Sequence, residues 1–184
     1  AFRLATSGRP GPVHVALPVD LLEAPVEGIE DEAQHADDFR QPATRLDANT
    51  ADRVLAALSA ADAPLTLAGP SMMRGAARGA LAEMARVTRT PVVSTESPRG
   101  INDPSLGAFA EVLAQADLIL LLGKKLDFTL KSGDSPAVRP DCRFIQVAPE
   151  TQVLEQTQRL LAGPPRLAEA VVADPVEADF RQQP

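Results

Sequence analysis

The chain has 184 residues, a net charge of -7 and a pI of about 4.8, so it repels the phosphates of nucleic acids and anionic membranes. It has no Trp or Tyr for stacking on bases, only two His, and one cysteine, Cys142. These counts exclude a histidine metal site and an intramolecular disulfide. We therefore expect a cytoplasmic protein with no metal of its own that binds neither nucleic acid nor membrane.

The first predicted element is a strand. In the run VHVAL over 13–17, apolar and other side chains alternate, and a proline stands at either end of the run. The following stretch, 23–48, is acidic and has no apolar period, which indicates a linker. Residues 1–22 are thus expected to belong to a different part of the fold from the residues after the linker.

Helical and strand patterns alternate from residue 49 onward. Apolar positions at i, i+3, i+4 and i+7 predict a helix over 51–58, capped by Asn49 or Thr50. Further helices are predicted over 77–84, 109–116 and 151–156, and strands over 64–68, 91–95, 117–122, 143–148 and 168–173. The unbroken apolar run in DLILLL (117–122) implies a strand buried on both faces, as in parallel sheets.

This alternation predicts an α/β fold over 49–175. We expect a doubly wound, mostly parallel sheet with helices on both faces, a Rossmann-like arrangement. The tail over 176–184 is expected to be a truncated linker.

Candidate ligand-binding residues lie at the carboxyl ends of the predicted strands, where such sheets bind ligands. Gly69 ends a strand and precedes a helix, as a phosphate-binding turn does. Because Ser71 replaces the second glycine of G-x-G-x-x-G, the spacing alone favours a tight packing turn with a solvated Arg74. The other interpretation is a cationic rim for a nucleotide diphosphate. Its members would be Arg9, Arg74, Arg99, Lys124 and Lys125.

No catalytic residue is assigned. Ser71 does not fit a nucleophile elbow, since the G-x-S-x-G pattern fails at Met73 and only His14 and His35 are available as a base. Cys142 is expected to be an inert thiol.

A family resemblance rests on several motifs. The run SGRPGPVHVALPVD (7–20) resembles the last strand of the pyrimidine-binding domain in thiamine-diphosphate-dependent enzymes of the acetolactate synthase, 2-oxoacid decarboxylase and benzaldehyde lyase type. Later segments resemble the same family in the same order. They are LAG (67–69), PVVST (91–95) with RG (99–100), ADLILLLG (116–123) with LD (126–127), and FIQV (144–147). The resemblance covers nearly all of 1–175.

The resemblance implies that the chain is the central domain of such an enzyme, cut out of its parent. The parent would bind thiamine diphosphate and Mg²⁺ and make or break a carbon–carbon bond beside a carbonyl. The activating glutamate would lie in the pyrimidine-binding domain and the G-D-G motif in the diphosphate-binding domain. These two domains would be the partners of the central domain, in a parent that is a homo-oligomer. Gly133-Asp134-Ser135 is not that motif, so this fragment is expected to have no turnover.

Some members of that family bind FAD or ADP in this domain. The positions that match their ligand contacts are Arg9, Gly69, Ser71, Thr95, Lys125 and Ala148. The candidate cofactor-binding residues are the first five of these, together with Arg74 and Gly123 from the strand-end turns. Lys125 replaces an arginine, Ala148 an aspartate and Ser71 a glycine, which favours a domain that has lost nucleotide binding or binds a nucleotide weakly. The alternatives are an FAD- or ADP-binding module and a stand-alone Rossmann-like oxidoreductase.

Overall fold

The computed structural model describes residues 1–6, 11–25, 44–95, 99–162, 167–172 and 174–175. The chain divides into two compact units, one comprising Ala1–Ala43 with Val176–Pro184 and the other Thr44–Pro175. The smaller unit contains helices α1 (Phe2–Thr6) and α2 (Val19–Glu23). None of the helices described combines the length and apolar composition that crossing a membrane requires.

The strand predicted over 13–17 is wrong. Residues 11–18 adopt neither helix nor strand. The side chains of Val13, Val15 and Leu17 are 39%, 54% and 63% exposed. A strand is stabilised by pairing with a neighbour, and the described residues of this unit contain no other strand. The sequence contains the alternation of side chains, but the part of this unit that the structure describes offers no strand to pair with it.

The larger unit alternates strands and helices along the chain. Its elements are β1 (Thr44–Arg45), α3 (Ala48–Ala60), β2 (Pro64–Ala68), α4 (Gly75–Thr88), β3 (Val92–Ser94), α5 (Phe109–Gln115), β4 (Leu118–Leu122), β5 (Arg143–Ala148), α6 (Thr151–Leu160), β6 (Leu167–Val172) and β7 (Asp174–Pro175). Short 3₁₀ turns lie at Pro70–Met73, Gly100–Asn102, Pro104–Leu106 and Phe128–Gly133.

Five of these strands form one parallel sheet in the order β3-β2-β4-β5-β6. The predicted doubly wound, parallel α/β fold is therefore confirmed. β1 and β7 form a separate antiparallel pair, with Thr44 opposite Pro175 and Arg45 opposite Asp174.

The core lies on both faces of the sheet. Leu118 and Leu120 of β4 pack with α3 on one face, and Ile119 and Leu121 pack with α5 on the other. All four are at most 1% exposed. β4 therefore needs an apolar side chain at every position, which explains the unbroken run in the sequence.

α3 starts earlier than predicted. Asp47 is the N-cap, and its carboxylate accepts a hydrogen bond from the Thr50 amide at 3.0 Å. The capping residue was predicted to be Asn49 or Thr50, because Asp47 was assigned to the acidic linker. Most of that linker, 26–43, lies outside the described residues, and its end at 44–45 forms β1.

Asp117, just before β4, connects the start of β4 to the residues that precede β2 at the amino edge of the sheet. Its two carboxylate oxygens accept hydrogen bonds from the backbone amides of Asp62 and Ala63, each at 2.9 Å. Burial opposes ionisation of this carboxyl, but these two amides, the amide of Asp117 itself and the positive charge of Arg143 together outweigh it. They hold the pKa of Asp117 below its ordinary value. Asp117 thereby aligns the entry to β2 with β4.

Candidate functional site

Two glycines meet where β2 and β4 end. The Gly69 amide donates to the Leu122 carbonyl at 2.9 Å, and the Gly123 amide donates to the Val147 carbonyl at 2.9 Å. A Cβ placed on Gly69 would overlap the Gly123 carbonyl, far inside van der Waals contact. Gly123 itself has a φ of 64°, a left-handed value that favours glycine. Gly69 therefore allows two backbones of the chain to approach closely.

Of the other predicted ligand residues, Ser71 lies beside this glycine contact. Ser71 is exposed, and its Oγ is 3.5 Å from where a Cβ on Gly123 would lie. Arg74 is exposed just before α4, and Lys125 is half-buried after β4. The structure thus brings Gly69, Ser71 and Gly123 together. Arg9 lies outside the described residues.

Thr95 follows β3 at the same edge of the sheet and is 5% exposed. Its amide donates to the Ala68 carbonyl at 3.5 Å. Within the described part of the chain, its hydroxyl has no hydrogen-bond partner. A buried hydroxyl without a partner is unfavourable, and a bound polar group would satisfy it. Thr66, inside β2, shares this property, so the feature alone does not define a ligand site.

Ala148 ends β5 and belongs to the core. It is 1% exposed and packs against Val153 and Leu154 of α6. The position that the resemblance associates with a ribose-binding aspartate is therefore filled here by an apolar side chain facing a helix.

Lys124 was predicted to belong to a cationic rim, but it is buried, with 6% of the residue exposed. Its ammonium group lies 3.2 and 3.3 Å from the two carboxylate oxygens of Asp127 and donates to the Thr129 hydroxyl at 2.9 Å. The side chain thus turns inward to neutralise a partly buried carboxylate. The prediction failed because a loop sequence does not show which of two adjacent lysines points inward.

The same group of side chains ties two loops together. Asp127 also accepts hydrogen bonds from the Thr129 amide, at 3.0 Å, and from its hydroxyl, at 2.5 Å. The Thr129 backbone lies so close to Gly100 that a Cβ there would overlap it. The loops that follow β3 and β4 are therefore packed together at the carboxyl edge.

The charge state of Asp127 follows from its surroundings. Burial opposes its ionisation, but the hydrogen bonds from Thr129 and the positive charge of Lys124 outweigh that effect. The pKa of Asp127 is therefore lower than its ordinary value of 3.8.

Gln146 is a buried polar residue that the sequence analysis did not single out. Its side-chain amide donates to the carbonyls of Leu121 and Lys124, at 3.2 and 3.1 Å. Its side-chain carbonyl accepts from the Thr157 hydroxyl at 3.1 Å. Gln146 thereby joins β4, the loop after it and α6. The signal available in the sequence was one amide side chain within the otherwise apolar run 144–148.

Together, the parallel sheet, its two helical layers and the glycine turns at its carboxyl edge define a doubly wound α/β domain. Comparison with known protein families identifies the family of this domain. Residues 51–173 match the family described as thiamine pyrophosphate enzyme, central domain. The chain belongs to this family, as the resemblance predicted.

Known relatives agree with this assignment. The chain is 29% identical over 157 residues to acetolactate synthase of Mycobacterium bovis, covering 79% of this chain and 25% of that protein. It is 28% identical over 166 residues to oxalyl-CoA decarboxylase of Escherichia coli K12, covering 86% and 29% respectively. An X-ray structure described as a thiamin diphosphate-dependent enzyme from Mycobacterium smegmatis has the same fold, with a TM-score of 0.58 and 17% identity. That match covers 94% of this chain and 33% of the other. The chain thus spans about a quarter of the length of the curated relatives.

The described residues contain no cluster of carboxylates that could hold the magnesium ion of a thiamine diphosphate site. Magnesium requires several convergent oxygen ligands. No group of three or more His, Cys, Asp or Glu in the described ranges lies close enough to hold a metal ion. Asp134, in the Gly133-Asp134-Ser135 sequence, is exposed at the end of a 3₁₀ turn. No catalytic step follows from these residues.

The close approach of Gly69 to Gly123 gives a direct test of the packing. Gly69→Ala is expected to lower the free energy of unfolding by about 3 kcal/mol, because the new methyl group overlaps backbone that cannot move without disturbing β4. The control is Gly79→Ala within α4, where a Cβ meets nothing within 4 Å. That change should stabilise the chain by up to about 1 kcal/mol through helix propensity. Urea denaturation measures both, and equal effects would contradict the packing role of Gly69.

The Lys124–Asp127 pair predicts a pH-dependent contribution to stability. Asp127→Asn is expected to cost about 3 kcal/mol at pH 7, because it leaves the buried ammonium of Lys124 without its counter-charge. Since the folded pKa of Asp127 lies below 3.8, the wild-type advantage should be complete at neutral pH. It should disappear as the pH falls through that lowered pKa.

Asp141→Asn serves as the matched control, because Asp141 pairs with Arg139 on the surface. Exposed pairs contribute at most about 1 kcal/mol. Urea unfolding of both variants from pH 7 downward gives the comparison. If Asp127→Asn lowers the free energy of unfolding by no more than Asp141→Asn does, the Lys124–Asp127 pair does not stabilise the loop.

Proposed function

We propose that this chain is the central domain of a longer thiamine-diphosphate-dependent enzyme that makes or breaks a carbon–carbon bond beside the carbonyl of a 2-oxo acid or a related substrate. The parent would be cytoplasmic, homo-oligomeric and of the acetolactate synthase or 2-oxoacid decarboxylase type. The match of residues 51–173 to the central-domain family supports this proposal. So do the relatives named as an acetolactate synthase and an oxalyl-CoA decarboxylase.

In this proposal the domain has a structural role and no turnover of its own. Residues 1–22 would complete the pyrimidine-binding domain, 23–48 would link it to the central domain over 49–175, and 176–184 would begin the next linker. The exposure of the apolar side chains of Val13, Val15 and Leu17 supports the first of these assignments, because apolar side chains in alternation are normally covered. Thiamine diphosphate and Mg²⁺ would be held by the neighbouring domains of the parent.

The carboxyl edge of the sheet favours a structural domain over a nucleotide-binding module. Because Gly69 packs against the backbone of Gly123, the glycine at this position is explained without a bound phosphate. Lys124 is neutralised by Asp127, and Ala148 lies in the core. One observation supports the alternative of an FAD- or ADP-binding module, namely the buried hydroxyl of Thr95.

Turnover is tested by comparing two polypeptides. A longer polypeptide that contains these residues and both neighbouring domains is expected to release CO₂ from pyruvate or another 2-oxo acid when thiamine diphosphate and Mg²⁺ are supplied. The 184-residue chain, under the same conditions, is expected to release none above the uncatalysed rate. Release of CO₂ by the 184-residue chain would contradict the proposal, as would the absence of a thiamine-dependent reaction from the longer polypeptide with every 2-oxo acid tried.

Thr95→Val distinguishes the structural domain from the nucleotide module. If no nucleotide binds, replacing an unpartnered hydroxyl should be neutral or stabilise the chain by about 1 kcal/mol. The control is Thr157→Val, which removes a buried hydroxyl that donates to Gln146 and should destabilise by about 1 to 2 kcal/mol. Calorimetric titration with ADP and FAD is expected to show no micromolar binding. Micromolar binding that Thr95→Val weakens tenfold would instead establish the nucleotide module.

A further inference from the structure

A cavity of about 220 Å³ lies between α3, α4 and one face of the sheet. Its floor is formed by Leu120 and Leu122 of β4 and Val147 of β5. Its walls include Val54 of α3 and Met84 of α4. β4 and β5 are paired along their length and α3 packs on both strands, so the cavity is closed on the side of the sheet, while its other side opens to solvent.

The chemistry of the lining restricts what the cavity can hold. Every residue that lines it is Ala, Val, Leu or Met. A polar ligand group placed against this lining would lose its hydrogen bonds to water without replacement, which is costly. A buried water molecule likewise needs two to four polar partners. An apolar occupant loses nothing on entering and removes its own surface from water.

The size of the cavity indicates the size of the occupant. Protein interiors are close-packed and rarely leave voids larger than a water molecule. An apolar cavity of about 150 Å³ in another protein stays dry and holds benzene. At about 220 Å³, this cavity can take a somewhat larger group. Met72 and Met84 can adjust to its shape, because unbranched thioether side chains are easily repacked.

The cavity also lies beside the carboxyl edge of the sheet. Met72, which lines it, follows β2 in the turn Pro70–Met73. The Met72 Cγ is 3.7 Å from where a Cβ on Gly123 would lie. Ligands of doubly wound sheets bind at this edge. The lining is nevertheless separate from the polar candidate positions, since it includes neither Thr95 nor Lys125.

We propose that this cavity is a binding site for an uncharged apolar group about the size of one alkyl-substituted aromatic ring. The proposal goes beyond the structural role given to the domain and does not rest on thiamine chemistry. It concerns an apolar ligand group, whereas the nucleotide alternative concerns the polar edge around Thr95.

Methionine methyl signals provide the test, using the 184-residue chain and toluene as the probe. Of the three methionines, Met72 and Met84 line the cavity and Met73 does not. As toluene is added, we expect the methyl signals of Met72 and Met84 to shift and then saturate. The methyl signal of Met73 should not shift and serves as an internal control. Phenol, which adds a hydroxyl without a partner, should bind at least about tenfold more weakly.

A filled variant completes the design. Ala51→Leu places a larger side chain at a lining position of α3, and Ala56→Leu places the same side chain at an exposed position of the same helix. Ala51→Leu is expected to weaken toluene binding at least tenfold, whereas Ala56→Leu should leave it unchanged. The proposal is overturned if the wild type shows no saturable shift, if Met73 responds as strongly, or if phenol binds as tightly as toluene. The proposal is also overturned if a folded Ala51→Leu variant binds toluene as tightly as the wild type does. If that variant does not fold, the comparison of toluene with phenol on the wild-type chain decides the question.

Discussion

The structure depends on the burial of β4 on both of its faces. Its backbone pairs with β2 on one side and β5 on the other, and its side chains alternate between the two helical layers. No position along Leu118–Ile119–Leu120–Leu121 can accept a polar side chain without placing it in a core. Asp117 aligns the amino end of this strand, and Gly123 lets its carboxyl end turn beside Gly69. β4 is also the central strand of the five in the sheet.

Elements whose stability is local or that are buried on all sides could be predicted from the sequence. The alternating helical and strand patterns after residue 49 identified four helices and five strands, because burial leaves a period in the apolar positions. The strand at 13–17 could not be judged in this way. Its side-chain alternation is genuine, but strand formation depends on a distant partner that the pattern does not contain. The cap at Asp47 was missed because an acidic residue serves equally well in a linker and at a helix N-terminus.

The candidate site was predictable in outline but not in its contacts. Strand-ending glycines were expected at the carboxyl edge, and Gly69 and Gly123 are there. Which lysine faces solvent was not predictable, because the direction of Lys124 is set by Asp127 and Thr129. The role of Gln146 depends on two backbone carbonyls and a helix that meet only in three dimensions. Side-chain direction in loops is a tertiary property, and single-residue patterns do not carry it.

The small β1–β7 pair has a consequence for how the larger unit is connected to the rest of a polypeptide. Because Thr44 lies opposite Pro175, the chain enters and leaves this unit at neighbouring points. A unit with adjacent ends can be accommodated as an insert, since the flanking segments do not have to span its width. Lengthening a surface loop within the unit would leave the separation of those ends unchanged. Insertions and deletions inside the unit could thus accumulate during evolution without changing the distance between the two points at which the flanking segments attach.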